Sequence, residues 1–502
     1  MKKTIIFLLL ITFTQTGCKD DFLNLVPATA LSSATFYTKE ADFDQAVNGA
    51  YVPLRDIFNS RSWLLSEMHS DNTYYARNIL FGATEQQEDL ADFADPTNNG
   101  ISTNTHVLNQ YRLDYQIIAR VNQILAQIDD VDFDASNKAN LKGQSHYLRG
   151  FAYFELVRYF GKAPLHLTPV TDRQGASLPL TEADGLYTQI IADVQAAISS
   201  LPTKANQEPG RVTKGAAQML LANVYMVQQN WSGAETLLRE IVNSGEYQLM
   251  PTYEEAFSDN SSNKNNSESI FEVQFLEGSA GLNGSFIYNF MPRPISPTEL
   301  EPIMGTSNPQ PINGEGNNIP TPDMIAAYED GDLRKDASID YVTLEGSLRS
   351  DQTYPYIKKY AKKHSLHGNT GTNWPVYRYS EALLFLAEAL MEQNKSAEAI
   401  PFLNQVRTRA GLATTTATAQ TDLRTAIHQE RRVELAFENK RWHDLVRTEK
   451  AIETITAYGN RIKADPFSYY YPEGAQPRGN AFSNISIYYG LPAAESDLSP
   501  HF

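Results

Sequence analysis

Apolar residues fall at helical spacing over most of the longer segments of this chain and at strand spacing over few. In residues 42–58, Ala46, Ala50, Val52, Leu54, Ile57 and Phe58 supply one apolar face, which predicts an amphipathic helix. Residues 106–129 and 137–160 read as two long helices, the second closed by Gly161 and Pro164, residues that stop helices. Residues 423–450 read as helix, sharp bend, helix. Leu423, Ala426, Ile427, Val433 and Phe437 form a stripe, and Trp442, Leu445 and Val446 restart it after Asn439. Asn is the usual substitute for Gly at a left-handed helix end. Residues 268–276 alternate as a strand does. Two segments keep no period. Residues 66–105 hold Asp71-Asn72-Thr73-Tyr74-Tyr75-Ala76-Arg77, then Phe81 and Gly82, then a run rich in Asp, Glu, Asn and Gly; residues 278–320 are crowded with Gly, Pro and Asn. Long aperiodic stretches inside a globular chain are functional loops or disorder, and a ligand loop is expected at the first.

A split repeat organises the helices. Leu221-Ala222, Tyr225, Asn230-Trp231, Ala234 and Leu237-Leu238 return 165 residues later as Leu386-Ala387, Leu390, Lys395-Ser396, Ala399 and Phe402-Leu403. Small residues where helices cross, with bulky ones between, match the tetratricopeptide pattern. The expected fold is mostly α: a tetratricopeptide-like helical-repeat scaffold with a large loop-rich insertion carrying short strands. The expected boundaries are a signal peptide (1–17), a lipidated Cys and tether (18–40), an N-terminal helical scaffold (41–249, first repeat 211–243), a loop-rich ligand-binding insertion (250–373), C-terminal repeat-like helices (374–450) and a loop-rich end (451–502).

Composition narrows the partners. The 502 residues carry a net charge of −17, which argues against nucleic acid and against docking on anionic lipid. Lys2 and Lys3 followed by a ten-residue apolar run make a secretory signal, too short to span a bilayer as a helix. Its removal takes two positive charges and no acid, lowering the charge to −19. Cys18 is the only cysteine, so no disulfide and no Cys-based zinc site can form within the chain. It ends Thr16-Gly17-Cys18, which resembles a bacterial lipobox with Gln15 where Leu is usual. Cys18 is therefore expected to become the lipid-bearing N-terminus, and several acyl chains on one residue give stable anchoring. Lys19-Asp20-Asp21 resembles the signal that sends such lipoproteins to the outer face of the outer membrane.

Candidate chemistry is sparse. No HExxH, GxSxG, P-loop or dinucleotide fingerprint is present, and no cofactor or metal site is expected. His364 and His367 are read as a solvated loop, and Asp330, Asp332 and Asp336 lack the glycine and terminal Glu of a calcium loop. Glu430 and Glu434 lie one turn apart within or beside an apolar stripe, where a charge must be paired. Arg431, Arg432, Arg441 and Arg447 are the partners at hand. The expectation is an ion-pair lock built from Glu430, Glu434, Arg431 and Arg441, not a catalytic centre. Aromatics reach 11%, with 27 Tyr. An exposed ring offers a flat apolar platform for the C–H face of a sugar, and neighbouring Asn or Arg can hydrogen-bond its hydroxyls. Asn72, Tyr74, Tyr75, Arg77 and Phe81 are the first ligand-binding candidates; Tyr288 and Phe290 are the second.

The run Glu430-Arg431, Glu434-Leu435, Phe437-Glu438, Arg441-Trp442, Asp444-Leu445, Arg447 resembles a signature of the SusD/RagB family of nutrient-binding outer-membrane lipoproteins, with Asn439 where that family has Gly. Other segments resemble it in order: Phe22 to Pro27, Leu148-Arg149 with Phe160-Gly161 and Pro164-Leu165, Arg211-Val212-Thr213-Lys214, Thr321-Pro322-Asp323-Met324, and Tyr356 with Lys358-Lys359-Tyr360. Ala493 and Ala494 depart from it near the end. The resemblance implies a surface-exposed binding protein that captures an oligosaccharide or polysaccharide and delivers it to a partner SusC-like TonB-dependent transporter, performing no reaction itself. The other readings are a surface glycoside hydrolase, and a peptide-binding or interaction scaffold without glycan affinity.

Overall fold

The structure, a computed structural model, describes residues 36–76, 85–95, 100–257, 262–313 and 316–501. The expected signal, Cys18, Arg77 and Phe81 lie outside the described residues. Helix α1 (Glu40–Ser60) starts where the Asp42 carboxylate accepts from the Thr38 and Lys39 backbone N–H groups, both at 3.1 Å. Phe43, Val47, Ala50, Leu54 and Ile57 make its buried face. Strand β1 (Thr73–Ala76) lies in the segment that follows. Next come α2 (Thr105–Gln127) and α3 (Ala135–Phe160), within a few residues of their predicted limits. Asp134 caps α3 by accepting from Asn137 N, and Gly161 ends it at φ 72°, a conformation only glycine adopts freely. The pair β2 (Lys162–Pro164) and β3 (Leu180–Glu182) leads into α4 (Ala183–Ser200). Gly150 lets α3 and α4 approach: a Cβ there would lie 2.7 Å from Val194 Cγ2.

The split repeat is two helical hairpins. The first is α5 (Lys214–Val227) and α6 (Trp231–Asn243). Among the described residues, four strands then punctuate the insertion: β4 (Ser269–Val273), β5 (Gly316–Pro320), β6 (Ile339–Thr343) and β7 (Thr353–Ile357). Strand β8 (Trp374–Arg378) returns the chain to the second hairpin, α7 (Tyr379–Glu392) and α8 (Ser396–Arg409). Both α7 and α8 begin 165 residues after their counterparts, matching the offset of the sequence pattern. The chain continues as α9 (Gln420–Glu434), α10 (Arg441–Arg447) and α11 (Ala451–Ala464).

Each helix of the array packs on the next, from α1 on α2 through α4 on α5 to α7 on α8 and α9, and α6 against α7 sets the two hairpins side by side. The insertion is thereby looped out, and its base is stapled by antiparallel pairing of β4 with β8. β4 is buried on both faces, where its alternation predicts one. Trp374 of β8 is the hub of an aromatic core: Tyr360 stacks on it at 5.1 Å, and Phe286, Phe290 and Phe58 surround it. The segment after residue 450, expected to be loop-rich, opens with α11, whose Ile455, Tyr458 and Ile462 are buried at helical spacing. Among the described residues no helix is long and apolar enough to cross a membrane.

Candidate functional site

The aperiodic segment around Asn72 is anchored by charge. Asp71 accepts from Arg441 through both carboxylate oxygens, at 2.7 and 3.0 Å, and pairs with Arg432 at 2.9 Å. Asn72 donates to Glu67 at 2.9 Å and accepts from Arg432 Nε at 3.0 Å. Burial alone would raise the Asp71 carboxyl, but the Arg441 and Arg432 guanidiniums outweigh it and hold it down at about 2. A depressed carboxyl stabilises fully above its unfolded value near 3.8, and that contribution is lost as pH falls toward 2. Asp71→Asn is expected to lower the urea midpoint at pH 6 and to make its fall between about pH 4 and 2 shallower. An acid limb as steep as that of the unaltered protein would overturn this assignment.

Beyond Asn72 the chain pairs in β1 with β5, and the ladder slips between Tyr74 and Ala76, opposite Asn318 in a left-handed conformation (φ 55°). Tyr74 and Tyr75 stack with ring centroids 4.4 Å apart. They are 0% and 1% exposed. Their hydroxyls converge on one carboxylate: Tyr74 donates to Asp92 Oδ1, and Tyr75 donates to Oδ2 at 3.0 Å. The Tyr471 hydroxyl bridges both phenols at 2.9 and 3.0 Å. Arg478 pairs with Asp92 at 3.4 Å and with Asp89 at 2.7 Å. Burial pushes the Asp92 carboxyl up, against the pull of the phenols and Arg478. Asn72, Tyr74 and Tyr75 are therefore not exposed sugar platforms. A phenol taken out of water needs a partner, and Asp92 and Tyr471 provide one from distant parts of the chain, so the rings pack as a foundation under β1.

The second aromatic pair is corrected in the same way. Phe290 is fully buried, edge-on to Trp63 at 5.1 Å, and belongs to the Trp374 core. Tyr288 is buried too: its hydroxyl meets His364 Nε2 at 2.5 Å, and its ring packs on His367 at 4.2 Å. The two histidines thus brace a tyrosine. Among the described residues no group of three or more His, Cys, Asp or Glu is placed to hold a metal ion.

The ion-pair lock exists with other partners than those expected. Glu434 accepts from Arg409 at 2.6 Å, Arg378 at 2.9 Å and Arg334 at 3.1 Å. Glu430 pairs with Arg334 at 2.6 Å and Arg407 at 2.9 Å. Arg431 instead pairs with Asp444 at 3.0 Å and lies 3.9 Å over the Phe385 ring, and Arg441 holds Asp71. The guanidiniums that reach Glu434 come from the insertion (Arg334), the end of β8 (Arg378) and the end of α8 (Arg409), so the lock ties three parts of the chain to α9. Burial would raise Glu434, yet Arg409, Arg378 and Arg334 drive it well below the ordinary carboxylate range. Glu430 keeps a raised value, because burial there outweighs Arg334 and Arg407. After α9, Phe437 and Asn439 are both left-handed (φ 67° and 63°), and the buried Glu67 carboxylate accepts from both backbone N–H groups at 3.0 and 2.9 Å. Glycoside hydrolysis needs two carboxylates facing an open cleft. Glu430 and Glu434 are buried and engaged by arginines, and they face none.

Sequence reasoning did not single out Asp92, Tyr471, Arg478, Arg334, Arg378 or Arg409. Proximity in the folded chain marks them: Tyr75 lies 17 residues from Asp92, Glu434 25 from Arg409 and Tyr471 397 from Tyr74, although Arg334 also pairs with Asp332 two residues away. What these arrangements supply is rigidity: the Asp92 cluster fixes β1 up to Ala76, and the lock fixes the insertion on the repeat.

Comparison with known proteins gives the family context. The model of the SusD family matches residues 333–501, and a model described as starch-binding associating with outer membrane matches residues 21–226. A SusD-like protein P2 of Formosa agariphila is 26% identical, over 100% of this chain and 99% of its own. The SusD-like protein P25 of the same organism is 27% identical over 89% of each chain. Among solved structures, a laminarin-binding SusD-like protein superposes with a TM-score of 0.71 at 25% identity, covering 92% of this chain and 98% of its own.

Proposed function

We propose that this chain, which belongs to the SusD family, is a lipid-anchored surface protein that captures an oligosaccharide and hands it to a partner TonB-dependent transporter of the SusC type. The observation that carries the reading is the end-to-end similarity to SusD-like proteins, the starch-binding model spanning β1 and Asp92 among its matched residues. One structural relative binds laminarin, which makes a neutral glucan the first probe. The protein in this reading binds and releases, with no bond made or broken.

With Tyr74 and Tyr75 serving as foundation, the ligand contacts are assigned to the residues that follow β1, Arg77 and Phe81. A guanidinium can donate to sugar hydroxyls while a phenyl ring covers a C–H face. In native gels containing laminarin or starch, the mature protein is expected to be retarded by at least one of them. Arg77→Ala/Phe81→Ala is expected to weaken that binding about tenfold or more, equivalent to about 1.4 kcal/mol, at an unchanged melting temperature. Full retardation of the double variant would move the site elsewhere. Release of reducing sugar by the pure protein would replace the binding reading with the hydrolase one.

The anchor is tested separately. Cys18→Ala is expected to shift the protein from the membrane fraction to the soluble fraction of its cells. Unchanged membrane retention would refute lipidation.

A further inference from the structure

A cavity of about 1140 Å³ lies away from β1, between α2, the strand β2 and the segment 495–501. Its floor is aromatic. Tyr111 and Tyr115, one turn apart on α2, set their rings 4.8 Å apart at 47°. Tyr115 donates to the Pro164 carbonyl at 2.6 Å, which fixes its ring, and His166 stands edge-on to it at 5.9 Å. The facing wall comes from the short helix Arg173–Ala176 and from the segment containing Glu495 and Asp497. That segment is held in place by Ala493 N donating to Ser102 O at 3.0 Å and by the Arg112–Glu495 pair at 2.6 Å. On the wall, the Ser177 hydroxyl oxygen is buried and has no hydrogen-bond partner among the described residues.

We propose that this cavity is a second oligosaccharide-binding site, separate from the segment after β1. Its volume of about 1140 Å³ exceeds the range of roughly 300–1000 Å³ usual for small-molecule pockets, which suits several linked sugar rings better than one. The part-exposed Tyr115 ring, backed by the buried Tyr111, offers an apolar face to one sugar ring, and the Gln174 amide, the Arg173 guanidinium, the Asp497 carboxylate and the orphaned Ser177 hydroxyl supply partners for the hydroxyls of a glucan. The rim carries both signs of charge on a chain of net charge −17, so an anionic ligand gains nothing here. The proposal shares with the preceding section the premise that the ligand is a glycan, but it stands on a different part of the fold.

The test is calorimetric titration of the mature protein with laminarihexaose and with maltohexaose. Ala176 is exposed on the wall, so Ala176→Trp places an indole in the cavity without touching the core. The unaltered protein is expected to bind two equivalents, A176W one, and the exposed rim pair Gln174→Ala/Asp497→Ala is expected to weaken the second equivalent about tenfold. Arg77→Ala/Phe81→Ala should retain one equivalent, which A176W then abolishes. Binding lost in A176W but intact in Arg77→Ala/Phe81→Ala keeps the cavity and displaces the other site. Stoichiometry and affinity unchanged in A176W would overturn the cavity while leaving glycan capture standing. Binding of neither sugar by the unaltered protein would overturn the cavity proposal and count against glycan capture as well.

Discussion

Arg378→Ala is expected to destabilise the protein by about 3–5 kcal/mol, the cost of breaking a buried ion pair by removing one partner. Arg378 is 1% exposed and donates to Glu438 through Nε and Nη2 at 2.8 and 2.7 Å, to Glu434 at 2.9 Å and to Ser380 Oγ at 2.7 Å, and it pairs with Glu268 as well. Without it, three buried carboxylates lose a shared cation. Arg409 still reaches Glu268 and Glu434, and Lys359 still reaches Glu438 at 2.6 Å, so the loss is large but not a full three-charge penalty. Arg378→Lys should recover only part of it, because one ammonium cannot reproduce a planar fork spread over three acceptors. The control is Arg239→Ala, which removes a half-exposed guanidinium from Glu235 and Glu398; pairs of that kind contribute about 0.2–1 kcal/mol. Urea unfolding followed by circular dichroism reads all three. A midpoint for Arg378→Ala no lower than that for Arg239→Ala would show that the lock does not hold the insertion to the repeat.

What the sequence disclosed and what it hid divide along one physical line. Local information was legible. The periods of α1, α2 and α3 and the stop at Gly161 set those helices, and the small-residue pattern at Ala222 and Ala387 placed two hairpins 165 residues apart. The period of Ile455, Tyr458 and Ile462 was equally available, and the Gly, Pro and aromatic residues of the surrounding segment concealed it. Pairing between distant residues was not legible. That Glu430 and Glu434 needed cations follows from their place on an apolar stripe. Which cations they received depended on where β8, α8 and the insertion docked, and the arginines nearest in sequence went to Asp71, Asp444 and Glu388. The aromatic candidates failed for the same reason. A tyrosine among polar residues looks like a platform until the fold brings a buried carboxylate to its hydroxyl.

Tyr74→Phe/Tyr75→Phe is expected to cost about 1–3 kcal/mol of stability and to leave glycan binding unchanged. The substitution keeps both stacked rings and removes only the two hydroxyls that Asp92 accepts from. Asp92 then keeps Arg478 as its partner, so part of its buried charge remains compensated. Tyr74→Ala/Tyr75→Ala differs in kind. It empties two fully buried ring volumes beside Tyr458 and Tyr471, and single large-to-small changes of this sort cost about 3–5 kcal/mol each. Loss of glycan binding in the alanine pair alone therefore reports collapse of the foundation under β1, not removal of a contact. The phenylalanine pair separates the two: affinity electrophoresis with laminarin or starch, run beside urea unfolding, should give full retardation at a lowered urea midpoint. Retardation lost at an unchanged midpoint would mean that the phenol hydroxyls reach the sugar after all, and the buried-foundation assignment of Tyr74 and Tyr75 would be wrong.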